Sequence, residues 1–429
     1  MKLFERLFKH ITLAFLLCFL TPTTASSPNN EPTLQADSIE ISLLTCGPRQ
    51  QVYSLYGHTA IRFQDKQTGR DIAINYGVFS FDQPFFVLRF VFGLTDYEMG
   101  IAPFDIFEWE YDPTGCGVRQ QVLNLTAQEK MAIAQAVDRN MEPQNRVYRY
   151  NFFYDNCTTR ARDIIANNLN GRIVYDTSTP QHLNTSTPQH HNTPAQYPTF
   201  RNLIHNYNET HRWARFGNDL LLGVKADYNT TFEQQQFLPE RLCADFERAH
   251  IISADGTKRN LVSSSFWLFE PTTKQQSTQQ TNMSILDVFS PLVTFSILSI
   301  LTLIIAIVEY RRKRIIWVFD TSIMLTTGAC GLLLFAMIFS QHPTVSLNLQ
   351  ILLLNPINIF MLYRVTKAAH KNRIHWWTKA WSALILLLLA GSFLQSYAEG
   401  ITIVALSLLL RNISNIYTFK NTGSKQPEA

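Results

Sequence analysis

A cysteine placed where a helix begins is prepared for nucleophilic chemistry, and Asn156-Cys157-Thr158-Thr159-Arg160 reads as such a start, with Asn156 the cap of a helix over 157–169. The partial positive charge of a helix N-terminus favours a thiolate and steadies the oxyanion of a tetrahedral intermediate. About a hundred residues earlier, Tyr56-Gly57-His58-Thr59-Ala60 puts a histidine in a strand-like run. A neutral imidazole within hydrogen-bond reach of the thiol would complete the activation, and a third polar group would fix the ring. Asn75, in the adjacent strand, is the candidate for that group, with Asp71 the alternative. Arg62 lies four residues after His58 on the same strand face, where it would bind a lipid phosphate or pair with an acidic residue. Taken singly, a buried cysteine is more often a small hydrophobe and a strand histidine more often structural, so the argument rests on the two together. No zincin-type His and carboxylate spacing, no Gly-x-Ser-x-Gly and no glycine-rich phosphate loop occurs, and no metal or cofactor is implied.

These residues need a sheet and a helix to position them. From Ile39 the apolar residues alternate (Ile39, Ile41, Leu43), a second strand follows over 59–64 and a third over 72–78, with Gly69 in the turn between them. This is the start of an antiparallel sheet. Residues 126–141 form a helix with Thr126 and Glu129 as a capping box, 146–153 a short strand, and 200–208, 219–226 and 232–249 further helical stretches. Phe79, Phe81, Phe85, Phe86, Phe90 and Phe92 form either ordinary core packing or an apolar surface for lipid. In 177–194 the string Thr-Ser-Thr-Pro-Gln-His occurs twice, which reads as a surface loop expanded by duplication rather than a His-rich metal tract.

The whole chain has 429 residues, 46% of them apolar, and a net charge of +4. Its basic residues cluster beside apolar segments, a membrane-orientation pattern rather than a nucleic-acid one. Lys2, Arg6 and Lys9, an apolar stretch over 11–20 and Thr23-Thr24-Ala25 read as a signal peptide over 1–25, followed by a disordered 26–37. Residues 38–270 are then an extracytoplasmic domain, 271–284 a polar linker, 285–417 a membrane bundle and 418–429 a cytoplasmic tail. Apolar spans are expected at 288–310, 315–340, 347–365, 376–394 and 401–417, the last containing Arg411. Arg311 to Arg314, then Arg364, Lys367, Lys371 and Arg373, then Lys420 and Lys425 all fall on one side, which puts the C-terminus in the cytoplasm and the protein in the inner membrane. Among the exported cysteines, Cys46, Cys116, Cys157 and Cys243, two disulfides are the plain expectation, though a reactive Cys157 would allow only one. His342-Pro343, Asn348, Asn355-Pro356 and Asn358 put polar groups near membrane depth, either as a helix break or as a groove holding lipid beside the thiol.

With Leu43-Leu44-Thr45-Cys46, Tyr56-Gly57-His58-Thr59-Ala60-Ile61-Arg62, Asn75-Tyr76-Gly77, Asn156-Cys157-Thr158-Thr159-Arg160 and the loop Ser340-Gln341-His342-Pro343, the chain resembles the Lnb apolipoprotein N-acyltransferases of Bacteroides-type bacteria. The His-before-Cys order also resembles the permuted NlpC/P60 and lecithin–retinol acyltransferase group of papain-like folds. The resemblance implies an α+β papain-like domain followed by an all-α bundle of about five transmembrane helices. It implies Cys157 as nucleophile and His58 as base; the group's second histidine is missing here, so Asn75 is the third member on its strand position alone. It further implies a phospholipid acyl donor, a diacylated lipoprotein acceptor, and Tyr56, Arg62, Asn156, His342, Asn348 and Asn355 as substrate-binding residues. A wall-directed cysteine peptidase or amidase, and a disulfide-stapled membrane sensor, are the competing readings.

Overall fold

The computed structural model describes residues 38–49, 51, 54–79, 84–177, 197–272 and 289–419. The expected signal peptide and disordered leader, nearly all of the duplicated segment and linker, and the tail from residue 420 lie outside them.

The first three strands are β1 (Ile39–Cys46), β2 (His58–Asp65) and β3 (Asp71–Val78). Alternating apolar residues and the Gly69 turn make them a meander, with Ile41 opposite Phe63 and Ala60 opposite Asn75. Helix α1 (Phe86–Val91) precedes β4 (Asp96–Pro103), and α2 (Phe104–Tyr111) leads to β5 (Val118–Leu123). Helix α3 (Ala127–Met141) starts on the expected Thr126–Glu129 capping box. The strand expected over 146–153 shrinks to β6 (Val147–Arg149), because the chain then turns back and Asn151 bridges Asp155. Helix α4 (Cys157–Ala166) and β7 (Arg172–Val174) complete the first half.

After residue 197 come α5 (Phe200–His205), α6 (Arg212–Leu221), α7 (Pro239–Arg248), β8 (His250–Ile252), β9 (Lys258–Asn260) and β10 (Val262–Phe269). The helix expected over 219–226 is a shifted α6 followed by a tight turn over Val224–Asp227. The main sheet has seven antiparallel strands in the order β10-β5-β1-β2-β3-β4-β6, and β7-β8-β9 form a small second sheet. One face of the main sheet packs Ile61, Ile74 and Tyr76 against Ala161, Ile164 and Ile165 of α4. The other packs Leu44, Ala60 and Ala73 against Phe104 and Phe107 of α2.

The C-terminal region is helical: α8 (Pro291–Arg312), α9 (Trp317–Ile338), α10 (Ile357–His370), α11 (Trp376–Gly391) and α12 (Ile401–Phe419). Among the described residues, four segments are long and apolar enough to cross a membrane: α8, α9, Leu349–His370 and α12. The segment expected at 376–394 becomes the 16-residue α11. At about 1.5 Å per residue it reaches ~24 Å, shorter than the other four segments but apolar, and it is the fifth helix of the bundle. Arg411, which makes the last apolar run an awkward span, is neutralised inside the bundle. Its guanidinium bonds Glu309 at 2.6 and 2.9 Å and Asp320 at 2.6 Å, and Asn415 adds a 2.9 Å bond to Glu309.

The sheet-rich region is bonded directly to the outer loops of the bundle. Gln341 N–H donates to Phe92 O at 3.0 Å, Gly223 N–H to Thr344 O at 2.8 Å and Val224 N–H to Leu347 O at 2.8 Å. A Cβ on Gly223 would stand 2.1 Å from Leu347 O, so this close approach requires glycine.

Candidate active site

Both ends of the proposed chemistry sit where an element starts. Asn156 caps α4 with its side-chain oxygen, which accepts from the Thr158 and Thr159 N–H groups at 2.9 Å each. Thr159 closes the capping box by accepting from the Asn156 N–H at 2.9 Å. The Asn156 amide nitrogen donates to Phe152 O and Phe237 O, both at 2.9 Å. Asn156 therefore holds the helix start in place, with its side-chain groups already engaged by the protein.

Cys157 follows as the first helical residue, against β2. Its sulfur stands 3.8 Å from the Thr158 hydroxyl, and the His58 ring and the Thr59 N–H lie close enough to favour the thiolate. Burial pushes the thiol up, but the His58 charge and these contacts outweigh it and lower the thiol to about 7. The same contact raises His58 against the opposing effect of burial. Each group thus favours the charged form of the other. The His58 Nε2 lies 3.1 Å from Asn75 Oδ1, so the Nε2–H donates there and Nδ1 is left for the thiol. This contact follows from register: Ala60 pairs with Asn75, and His58, two residues earlier on the same face, is its diagonal neighbour.

Asp71, the alternative ring partner, is used elsewhere. Arg62 Nε donates to it at 2.9 Å and Nη2 at 2.5 Å, while Nη1 donates to Gln120 at 2.8 Å and the guanidinium lies 3.5 Å from the Phe104 ring centre. Arg62 thus meets the acidic residue rather than standing free for a phosphate. It lies four residues along β2 from His58, ~13 Å at the usual strand rise.

Tyr56 sits where the sheet-rich region meets the bundle. Its hydroxyl accepts from Asn218 at 2.8 Å, and its ring packs 4.8 Å from Phe152 in a cluster that includes Met337 and Val345 of the bundle. His342 lies at the bundle's outer loop with its ring 6.5 Å from that of Phe90. Asn348 is buried in a polar knot: it donates to Leu220 O at 2.8 Å and accepts from Gln350 N–H at 3.0 Å and Gln395 at 2.9 Å. Asn355 bonds the Ile357 N–H at 3.0 Å at the start of α10, and Asn358 bridges Thr327 and Trp377 at 2.8 Å each. Asn348 and Asn355, expected near a lipid groove, thus serve docking and helix capping, while Tyr56 and His342 pack at the junction of the two regions.

Sequence reading misses the aromatic wall beside the thiol. Tyr97 pairs with Tyr148 across β4 and β6, and the Tyr97 and Tyr150 ring centres are 4.0 Å apart. Gly77, at φ +94°, makes a bulge opposite this wall, and a Cβ there would lie 3.8 Å from the Cys157 Cβ and 3.9 Å from the Tyr148 hydroxyl. The Tyr97–Tyr148 contact depends on strand pairing between segments fifty residues apart, and no local signal carries it. The disulfide expectations fail among the described residues: Cys46, Cys116, Cys157, Cys243 and Cys330 are all free thiols. Among those residues no cluster of three or more metal-ligating side chains occurs.

Two family models match the chain. Residues 27–202 match the model described as the Lnb N-terminal periplasmic domain, and residues 280–422 match the model described as the Lnb transmembrane domain. No curated protein and no solved structure matches it.

Proposed function

The chain belongs to the Lnb family, with a periplasmic N-terminal domain on a membrane-spanning helical region, and from that premise we propose that it is a lipoprotein N-acyltransferase working through an acyl-Cys157 thioester. The observation that carries the reading is the contact between Cys157 and His58, which holds the thiol at about 7 at the start of α4. A nucleophile poised near neutral pH is what acyl transfer requires.

The Cys157 sulfur attacks an ester carbonyl carbon of a phospholipid, and the carbonyl electron pair moves onto oxygen. On collapse the bond to the glycerol oxygen breaks, that oxygen takes the proton held on His58, and a lysophospholipid leaves. The α-amine of a diacylglyceryl-cysteine lipoprotein then attacks the thioester. His58 receives the amine proton as the amide forms and the thiolate is restored. Asn75 holds the ring with Nδ1 toward sulfur throughout. Both substrates are lipid-anchored, which accounts for a thiol domain bonded to a membrane bundle. Exposed Phe85, Leu88 and Phe90 around α1, with Phe339 at the outer end of α9, offer a surface for the outer leaflet. The one-sided basic loops support a position in the inner membrane with the C-terminus in the cytoplasm.

The test is mass spectrometry of lipoprotein N-termini from cells in which this chain is the sole N-acyltransferase. Wild type should yield N-acylated termini and Cys157→Ala free amines. N-acylation that persists in the variant contradicts the proposal, and altered wall fragments with unchanged lipoproteins would favour a wall hydrolase.

A further inference from the structure

The reaction needs donors for the oxyanion, and the helix start supplies fewer than its position suggests. Two of the first amides of α4, those of Thr158 and Thr159, are taken by the Asn156 side chain. The Thr59 N–H is directed at the sulfur itself. The Cys157 amide is outside that set, and a single amide leaves a tetrahedral oxyanion undersupported in a buried site.

One side chain near the thiol has an unused donor. Tyr148 is 7% exposed, and its hydroxyl is buried with no hydrogen-bond partner. An orphaned buried hydroxyl is costly, so its retention calls for an explanation. The hydroxyl and the Cys157 Cβ lie 3.9 and 3.8 Å from the same point beside Gly77, the residue whose missing side chain leaves the space between them open. The ring is held from behind by Arg160, whose guanidinium sits 3.5 Å from its centre and is itself fixed by Asp155 at 2.6 and 2.8 Å. Burial and the neighbouring thiolate push the phenol far above its ordinary range, so it keeps its proton at every working pH. It is a rigid, always-protonated donor aimed into the space beside the nucleophile.

We propose that Tyr148 is a catalytic residue that donates its O–H to the oxyanion formed when Cys157 attacks a carbonyl. As the C–S bond forms, the carbonyl π pair becomes a full charge on oxygen, and the phenol hydrogen bond, absent in the resting enzyme, forms to it. On collapse the pair returns to the C=O bond, the leaving group departs, and the phenol keeps its proton. The inference rests on Cys157 being the attacking atom.

The test uses full-length protein in nanodiscs of phosphatidylethanolamine and phosphatidylglycerol. Acyl-Cys157 formation is followed by intact mass, with p-nitrophenyl butyrate in one arm and the nanodisc phospholipid in the other. Tyr148→Phe should slow acylation by p-nitrophenyl butyrate about 100-fold, the usual loss for one oxyanion donor. Its thermal midpoint should not fall, because no hydrogen bond is lost, and the pH midpoint of thiol reactivity should stay at about 7. Acylation within threefold of wild type overturns the inference, as does a loss accompanied by a shifted thiol midpoint, which marks a residue that positions sulfur. If wild type is acylated by the nitrophenyl ester but never by phospholipid, the lipoprotein reading fails, while a 100-fold difference in the first arm still supports Tyr148. If wild type is acylated by neither, both fall.

Discussion

Replacing His58 by alanine removes the two largest influences that lower the Cys157 thiol, and leaves burial, which acts the other way, against the weaker ones of Thr59 and Thr158. The thiol should return to about its ordinary value of 9.0 from about 7. At pH 7 the thiolate fraction then falls from about one half to about one in a hundred, a ~50-fold loss. The surviving thiolate is more basic and therefore more nucleophilic, by about six- to tenfold over such a shift. The net loss of rate toward a small aromatic disulfide at pH 7 is only about five- to eightfold, so the midpoint of the rate–pH curve is the sharper readout. The assay is the pH dependence of labelling in detergent-solubilised full-length protein, with Cys157→Ala as the blank. Cys46 and Cys243 contribute little because they are buried and burial raises both. Wild type should show a midpoint near 7 and His58→Ala one near 9. Equal midpoints in the two proteins would refute the claim that His58 activates the thiol.

Three further outcomes follow from the same contacts. Asn75→Ala removes the 3.1 Å bond that fixes the ring but leaves the imidazole, so acylation should fall about tenfold, less than in His58→Ala, by the acyl-enzyme assay. Asn156→Ala loses the cap of α4 and two bonds to backbone carbonyls, and should cost about 1–2 kcal/mol, read as a lower thermal midpoint. Arg411→Met strands Glu309 in the bundle and should cost about 3–5 kcal/mol, seen as a collapse of folded protein in the membrane fraction, with Glu309→Gln added in the double variant restoring part of it.

The site was legible in the sequence where its signals were local. The Asn156 cap, the apolar spacing of α4 and the strand alternation around His58 each depend on neighbours within a few residues, and they lead to the right elements. The His58–Asn75 contact could be anticipated because a short turn around Gly69 fixes the register of β2 and β3. Tyr148 could not, because β6 joins the sheet through β4, fifty residues away, and its short length hides the alternation. For Arg62 the sequence offered a lipid phosphate or an acidic partner, and the fold brings Asp71 and Gln120 to it. Asn348 and Asn355 looked like ligands because polar groups near membrane depth are costly. The cost is met instead by main-chain carbonyls and amides of the docked regions, which sequence does not display. The last span shows the same limit, since Arg411 seems misplaced until Glu309 and Asp320 from other helices close around it.

The most direct test of the account is the mass of Cys157 itself in protein taken from membranes supplied with phospholipid but starved of lipoprotein acceptor. The account predicts a fatty-acyl adduct on a peptide containing Cys157, released by neutral hydroxylamine, absent in Cys157→Ala, and discharged when a diacylated lipopeptide with a free α-amine is added. A thiol that stays unmodified under these conditions, or an adduct that survives addition of the amine, would contradict it.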